Sequence, residues 1–214
     1  MDSYGSILLQ DIVAIITILN PIAAASIMIG MITPVTPSVI KPIALKATFT
    51  VIIASLITLF SGELIFKFFG INVLSLKVIG GIILMMIAIN MVHGEHKKTR
   101  HSKEEHEEAQ EKEDISIIPL GIPILFGPGL IATIMVLNNN HIKIMDATIS
   151  YILISISIFI ASLFVYLSLR YAGTIQKVLG VIGMKILTRI MGLIVGAIAA
   201  QFLVSGVKGL WSTM

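Results

Sequence analysis

The chain has 214 residues, of which 56% are hydrophobic and only 13% charged, with a mean hydropathy of +0.99; water-soluble domains carry about 25% charged residues. A soluble fold of this composition would expose large apolar patches, whereas a bilayer accepts them as its own solvent. The net charge of +3 is not arranged as a basic stripe with interleaved aromatics, so no nucleic-acid partner is expected, and the absence of cysteine excludes disulfides and thiolate metal sites.

Six apolar runs are long enough to cross the hydrocarbon core, at 7–31, 47–66, 72–92, 115–138, 148–170 and 186–207. Each reaches the roughly 20 residues a spanning helix needs, and a barrel strand would need only about 10 alternating ones. The N-terminus, MDSYGSILLQ, lacks the positive region of a secretory leader, so no cleavage is expected. The predicted class is an all-α integral membrane protein.

In segment 1, Pro21 lies mid-span and removes one helical hydrogen-bond donor, which would strand the carbonyl of Thr17. Asn20 precedes it and Ser26 follows, both able to donate and accept. Asp11 is the one acid inside a span apart from Glu63 near the end of segment 2, and intramembrane carboxylates are commonly functional. It stands nine residues before Asn20, roughly 13 Å along a helix. That places it toward the outer face, and an interfacial position is favoured over proton or sodium coupling. Segment 2 ends near Glu63, read as interfacial. Segment 3 opens at Lys77, expected to snorkel to the headgroups, as is Arg189 in segment 6.

The connection 93–114 holds 13 of the 27 charged residues, together with His93, His96, His101 and His106. Its histidine spacing matches no closed metal site, and it reads as a solvated linker, partly helical, with Glu108 and Lys112 spaced as a favourable i,i+4 pair. Segment 4 is more interrupted than segment 1, through Pro119, Pro123, Gly127, Pro128 and Gly129, with Thr133 beyond. Exposed backbone survives in a membrane only where protein or water lines it. Two such breaks at matching positions point to a binding site near the midplane in preference to packing kinks. For Ser26 and Thr133, helix packing through small residues is an equal reading. Asn90 and Gln201, near the ends of segments 3 and 6, are candidates for paired gates, although helix-end hydrogen bonding is favoured.

The halves resemble each other. ILNPIAAASIM at 18–28 aligns with ILFGPGLIATIM at 124–135, matching Pro21 to Pro128, Ala25 to Ala132 and Ser26 to Thr133. IGGIILMMIAIN at 79–90 aligns with IMGLIVGAIAAQ at 190–201, placing Asn90 opposite Gln201. The domains are then a first repeat at 1–92, a charged cytoplasmic linker at 93–114 and a second repeat at 115–214. Repeats with three spans enter the bilayer from opposite sides, so two inverted three-helix repeats are expected, with helices 1 and 4 broken at proline. Lys and Arg concentrate in the 1–2, 3–4 and 5–6 connections, which places those in the cytoplasm and both termini outside.

N-P-I in segment 1, GELIFKFFGI at 62–71, Gly80-Gly81, IPILFGPGLIATI at 122–134 and LTRIMGLIVGAIAAQF at 187–202 together resemble the MarC family. This family is also described as the neutral amino acid transporter family of bacteria and archaea. The resemblance covers nearly the whole chain except the charged loop. It implies six helices in the cytoplasmic membrane and, in some members, ion-coupled transport of glycine, alanine or similar solutes. Carried over by motif, it places Asn20, Pro21, Gly127, Pro128, Gly129 and Thr133 at a central site. The chain departs from the family pattern at Ala23, where glycine is usual, and at Ser26, where a second proline is usual. The first break is therefore expected to be the milder.

The expectation is an ion-coupled carrier of small neutral amino acids, working by alternating access with its direction open. Substrate binding falls to Asn20, Pro21, Ser26, Gly127, Pro128, Gly129 and Thr133, and ion coupling or gating to Asp11, Asn90 and Gln201. No catalytic motif, cofactor or structural metal is expected. The partners are the solute, a coupling ion (proton or sodium) and the lipid bilayer, with homo-oligomerisation left open. Two rival classes stand beside it. One is an aquaporin-like pore for small neutral solutes, although the second half carries Gly-Pro-Gly where such a pore has Asn-Pro-Ala. The other is a non-transporting membrane factor with a sensing loop.

Overall fold

The computed structural model describes residues 4–32, 35–70, 72–93 and 115–212. The linker beyond His93, and the side chains of Glu63 and Lys67, lie outside the described residues, so the expectations placed on the histidine tract and on Glu63 fall there. The helical elements are α1 (Tyr4–Leu19), α2 (Pro21–Met31), α3 (Pro37–Phe69), α4 (Val73–His93), α5 (Ser116–Leu125), α6 (Pro128–Ile142), α7 (Ala147–Arg170) and α8 (Ala172–Trp211). No strand occurs among the described residues.

α1 and α2 continue as one span-length unit, Tyr4–Met31, whereas α5 and α6 are bent from each other by 55°. With α3, α4, α7 and the Ile182–Trp211 part of α8, these make six units long and apolar enough to cross a bilayer. The first break is thus the milder one, as the missing second proline implied.

Two helices are longer than the hydropathy suggests. α3 starts at Pro37, a residue suited to a first helical turn because its missing N–H has no intrahelical partner there. The carbonyl of Thr36 accepts the N–H groups of Val39 and Ile40. α8 begins at Ala172 and passes through Gly180, whose φ of 64° turns the chain between a short first stretch and the long span. Hydropathy marks only the part of a helix that suits lipid, and polar residues such as Lys41, Lys46 and Lys177 let it continue beyond. α7 opens on Asp146, whose side chain caps the Thr148 N–H at 2.8 Å.

α5 is wound in wide turns. The Leu120 N–H donates to the Ile115 carbonyl at 3.3 Å and the Phe126 N–H to the Gly121 carbonyl at 2.8 Å, both five residues back. Ile118 and Ile122 are extended, at φ/ψ of −125°/124° and −131°/125°. Each precedes a proline, and the proline ring disfavours α geometry at the residue before it. Both Ile–Pro bonds are cis.

The arrangement is inside out relative to a soluble bundle. Phe49, Ile53, Ile57, Phe60 and Leu64 run down one face of α3 and are all exposed, as are Leu163 and Phe164 on α7 and Leu193 and Val204 on α8. Polar side chains turn inward, among them Asp11, Thr17, Asn20, Thr48, Ser55, Thr133, Asn138, His141, Ser150 and Ser157. Lipid-facing surface is as apolar as a core, and polar groups within a membrane face the bundle interior.

α4 packs closely on α8. A Cβ on Gly81 would lie 2.9 Å from the Leu203 backbone nitrogen, and one on Gly192 would lie 2.8 Å from the Met91 Cβ. Gly192 and Gly196 form a G-x-x-x-G spacing, a motif not drawn upon above, facing Ala88 and Met91. Elsewhere α3 packs on α7, α1 and α2 meet α7 as α5 and α6 meet α3, and α2 meets α8 as α6 meets α4.

Candidate functional site: a cavity between two helix breaks

The first break is built by Asn20 and Pro21. Asn20 adopts a left-handed conformation, φ 44° and ψ 62°, which asparagine tolerates better than most residues. Pro21 then opens α2. The Asn20 Oδ1 accepts the Ala23 N–H at 3.4 Å and so serves as the N-cap. Pro21 has no N–H for the Thr17 carbonyl, and the Ala23 N–H is turned away from the Leu19 carbonyl. The break therefore frees main-chain oxygens on one side and a helix N-terminus on the other.

The second break repeats this with less capping. Gly127 precedes Pro128 in extended conformation, has no side chain to cap α6, and lends its carbonyl to the N–H groups of Leu130 (3.0 Å) and Ile131 (3.3 Å). The Gly129 N–H is then one of the donors that the first turn of a helix leaves without an internal partner. Gly129 packs against α4, where a Cβ would come within 2.7 Å of Leu84 Cδ2.

The two breaks line one cavity of about 300 Å³, walled by Leu19, Asn20, Ala23 and Ile27 on one side and Gly127, Pro128, Gly129 and Leu130 on the other. Ile87, Asn90 and Met91 of α4, with Pro123 to Leu125 of α5, complete the wall. No ionisable side chain lines it, and its side-chain amides are those of Asn20 and Asn90. The Asn20 Nδ2 donates to Met91 Sδ at 3.6 Å, which ties the first break to α4. Helix N-termini carry partial positive charge and unpaired N–H groups, so the starts of α2 and α6 favour an anionic group, while freed carbonyls favour a cationic one.

The predicted residues divide accordingly. Asn20, Gly127, Pro128, Gly129 and Asn90 are brought together around the cavity, whereas Pro21, Ser26, Thr133 and Gln201 do not line it. Pro21 is buried behind the cap it makes possible, and Ser26 is half-buried on α2. Thr133 is buried and donates back to the Gly129 carbonyl at 2.8 Å, which is the packing alternative allowed for it. Gln201, exposed on α8, is not among the residues that wall the cavity with Asn90.

Asp11 is buried within the bundle, 1% exposed, and its Oδ1 lies 3.3 Å from His141 Nε2. Lys77 requires a correction: it is buried, and its Nζ donates to Asn140 Oδ1 at 3.0 Å instead of reaching outward. The structure adds His141, Asn138 (whose Oδ1 accepts from the Ser150 hydroxyl at 2.9 Å) and Met91, which has no local sequence signal. The run Asn138-Asn139-Asn140-His141 was a polar signal at the end of a span that could have been followed. Among the described residues, no cluster of three or more His, Asp or Glu could hold a metal ion.

A membrane-embedded helical bundle with paired broken helices around a largely apolar cavity that carries two asparagine amides is the class the fold defines. The family described as MarC family integral membrane protein matches residues 5–211, and the chain belongs to that family. It is 32% identical over 210 residues to a UPF0056 membrane protein of Aquifex aeolicus, covering 98% of this chain and 96% of that one. It is 35% identical to the UPF0056 membrane protein YvbG of Bacillus subtilis, covering 98% of each. A UPF0056 membrane protein of Methanocaldococcus jannaschii is 37% identical, covering 92% of this chain and 93% of that one. No solved structure matches the chain.

Proposed function

We propose that this chain is a secondary transporter of small neutral amino acids, glycine- or alanine-like, with the cavity between the two breaks as its solute site. The observation that carries the proposal is that both Pro-initiated helices open on one cavity of about 300 Å³ without an ionisable side chain. That size lies at the lower end of ligand pockets. A zwitterion has no net charge, so a cavity free of ionisable groups suits it. Its carboxylate suits the starts of α2 and α6, and its ammonium suits the carbonyl freed at Leu19, which lines the cavity.

Alternating access follows from two halves related by inversion, one rocking against the other. The exchange of contacts between the halves supports that relationship, as do the aligned breaks. Coupling to a proton or sodium ion supplies the driving force, and the direction of transport is open. The Lys- and Arg-rich connections support an orientation with those connections in the cytoplasm and both termini outside.

Reconstitution in liposomes and labelled glycine or alanine flux test the proposal. Saturable flux is the expected result. No flux for any small amino acid under any ion gradient rejects it, and fast water or glycerol permeation would assign a pore instead.

A further inference from the structure

We propose that the buried Asp11–His141 pair is the proton-binding site that energises transport; this rests on the transport reading above and deepens it by naming the coupling ion.

A charged or chargeable group within a membrane bundle is expensive unless it is fully paired. Here both members are buried, Asp11 at 1% and His141 at 6% exposure, and they meet through one contact only, Nε2 to Oδ1 at 3.3 Å. Asp11 Oδ2 and His141 Nδ1 are buried and have no hydrogen-bond partner. Buried polar side-chain atoms are in the large majority hydrogen-bonded, so two unsatisfied atoms at one pair call for an explanation. This pair has a free valence at each end, where a proton can arrive on the imidazole and leave from the carboxylate, or the reverse. With one shared proton between the partners beyond the ring's own N–H, the pair is net neutral, whether written as two neutral groups or as an ion pair. Removing that proton leaves one negative charge in a dry interior, and adding a second leaves one positive charge. Exchange therefore requires water to reach the pair.

The position of the pair links that exchange to the cavity. Asp11 lies on α1, which ends at the Asn20 break, and His141 lies near the end of α6, which begins at the Gly127–Pro128 break. The contact clasps the two broken helices together away from the solute cavity, roughly 13 Å from Asn20 along α1. Opening the clasp to water and separating α1 from α6 are one event, so proton exchange and cavity access are coupled.

Besides the pair, α1 carries Tyr4, Lys143 caps the end of α6 two residues beyond His141, and the elements packed on α1 and α6 carry the following titratable groups. α1 packs on α2, α6, α7 and α8, and α6 also packs on α3 and α4. α2 has no titratable side chain. α7 carries Tyr151, Tyr166 and Arg170, of which Tyr151 stacks on Phe60 and Arg170 sits over Tyr171. α8 carries Lys177, Lys185, Arg189 and Lys208, and α3 carries Lys41, Lys46, Glu63 and Lys67. α4 carries His93, bonded to the Ile89 carbonyl, and Lys77, whose Nζ donates to Asn140, the residue before His141 in sequence.

The test uses the full-length protein in liposomes with glycine as the probe and a pH-reporting dye inside. Wild-type protein is expected to accumulate glycine by roughly tenfold per unit of pH gradient at one proton per solute, the free-energy equivalence of a tenfold ratio. In Asp11→Asn and in His141→Gln, the ratio of gradient-driven accumulation to glycine counterflow is expected to fall about tenfold. A ratio unchanged in both variants, or accumulation driven by sodium and indifferent to pH, overturns the proposal and leaves transport standing. If wild-type protein moves no amino acid, the transport reading fails on its own. Infrared difference spectra on a pH step then decide the site: a protonated-carboxyl band lost in Asp11→Asn retains it as a proton site, and no such band overturns it.

Discussion

The amide nitrogen of Asn20 reaches Met91 Sδ at 3.6 Å, across 71 positions of sequence, while the oxygen of the same side chain caps the Ala23 N–H. One residue thus shapes the break, starts the next helix and fixes it to the cavity wall. Asn20→Ala loses the cap and places a less tolerant residue in the left-handed region. The expected loss is about 1–3 kcal/mol. Asn20→Gly, which accepts that backbone, is expected to lose less. Thermal unfolding in detergent should give the order Asn, then Gly, then Ala. Equal stability for all three would mean that the cap contributes nothing.

The glycines of α8 separate a close helix contact from an ordinary one. A Cβ at Gly192 would meet Met91 Cβ at 2.8 Å and the Ala88 carbonyl at 3.1 Å, whereas one at Gly196 would meet Ala88 Cβ at 3.5 Å. Gly192→Ala is expected to destabilise by about 1–3 kcal/mol through overpacking, and Gly196→Ala to be neutral or mildly stabilising. Comparing the melting temperatures of the two single variants decides it, and an inverted order would show that α4 and α8 pack differently.

Gly129 stands where the second break meets Leu84, which is fully buried. Gly129→Ala is expected to reduce solute flux several-fold, because the new methyl must displace Leu84 Cδ2 or the start of α6 toward the cavity. Shortening the partner in Gly129→Ala/Leu84→Val should recover part of that flux, giving a coupling of about 0.5–3 kcal/mol between the two positions. Strictly additive single and double variants would remove the steric account.

Asn90 lines the cavity and Gln201 does not, although the repeat alignment pairs them. Asn90→Leu is expected to raise the half-saturation concentration for solute about tenfold, the loss of one hydrogen-bonded contact. Gln201→Leu should leave both flux and stability near wild type, within about 0.5 kcal/mol. Equal transport defects in the two variants would support the paired-gate reading.

What could be read from the residues in order was what local chemistry dictates. The length and continuity of the apolar runs require membrane helices, because no other solvent covers that surface. The missing N–H of Pro21 and the Gly127-Pro128-Gly129 run interrupt two of them at sites the structure then reproduces. Alanine at 23 and serine at 26, in place of the family's glycine and proline, correctly signalled the gentler first break.

What only the tertiary structure decided was which way each side chain faces and what it meets. In a bilayer the core and the lipid are both apolar, so a helix such as α4 has no hydrophobic stripe to tell inside from outside. The partner of Asp11 was not legible because His141 lies in the other half of the chain. Lys77 read as snorkelling because Asn140 was equally remote. The breaks are written in the sequence, since one residue's missing hydrogen suffices to make them. The cavity, the buried pair and the glycine seam exist only once helices distant in sequence are packed together, because each needs atoms from both sides.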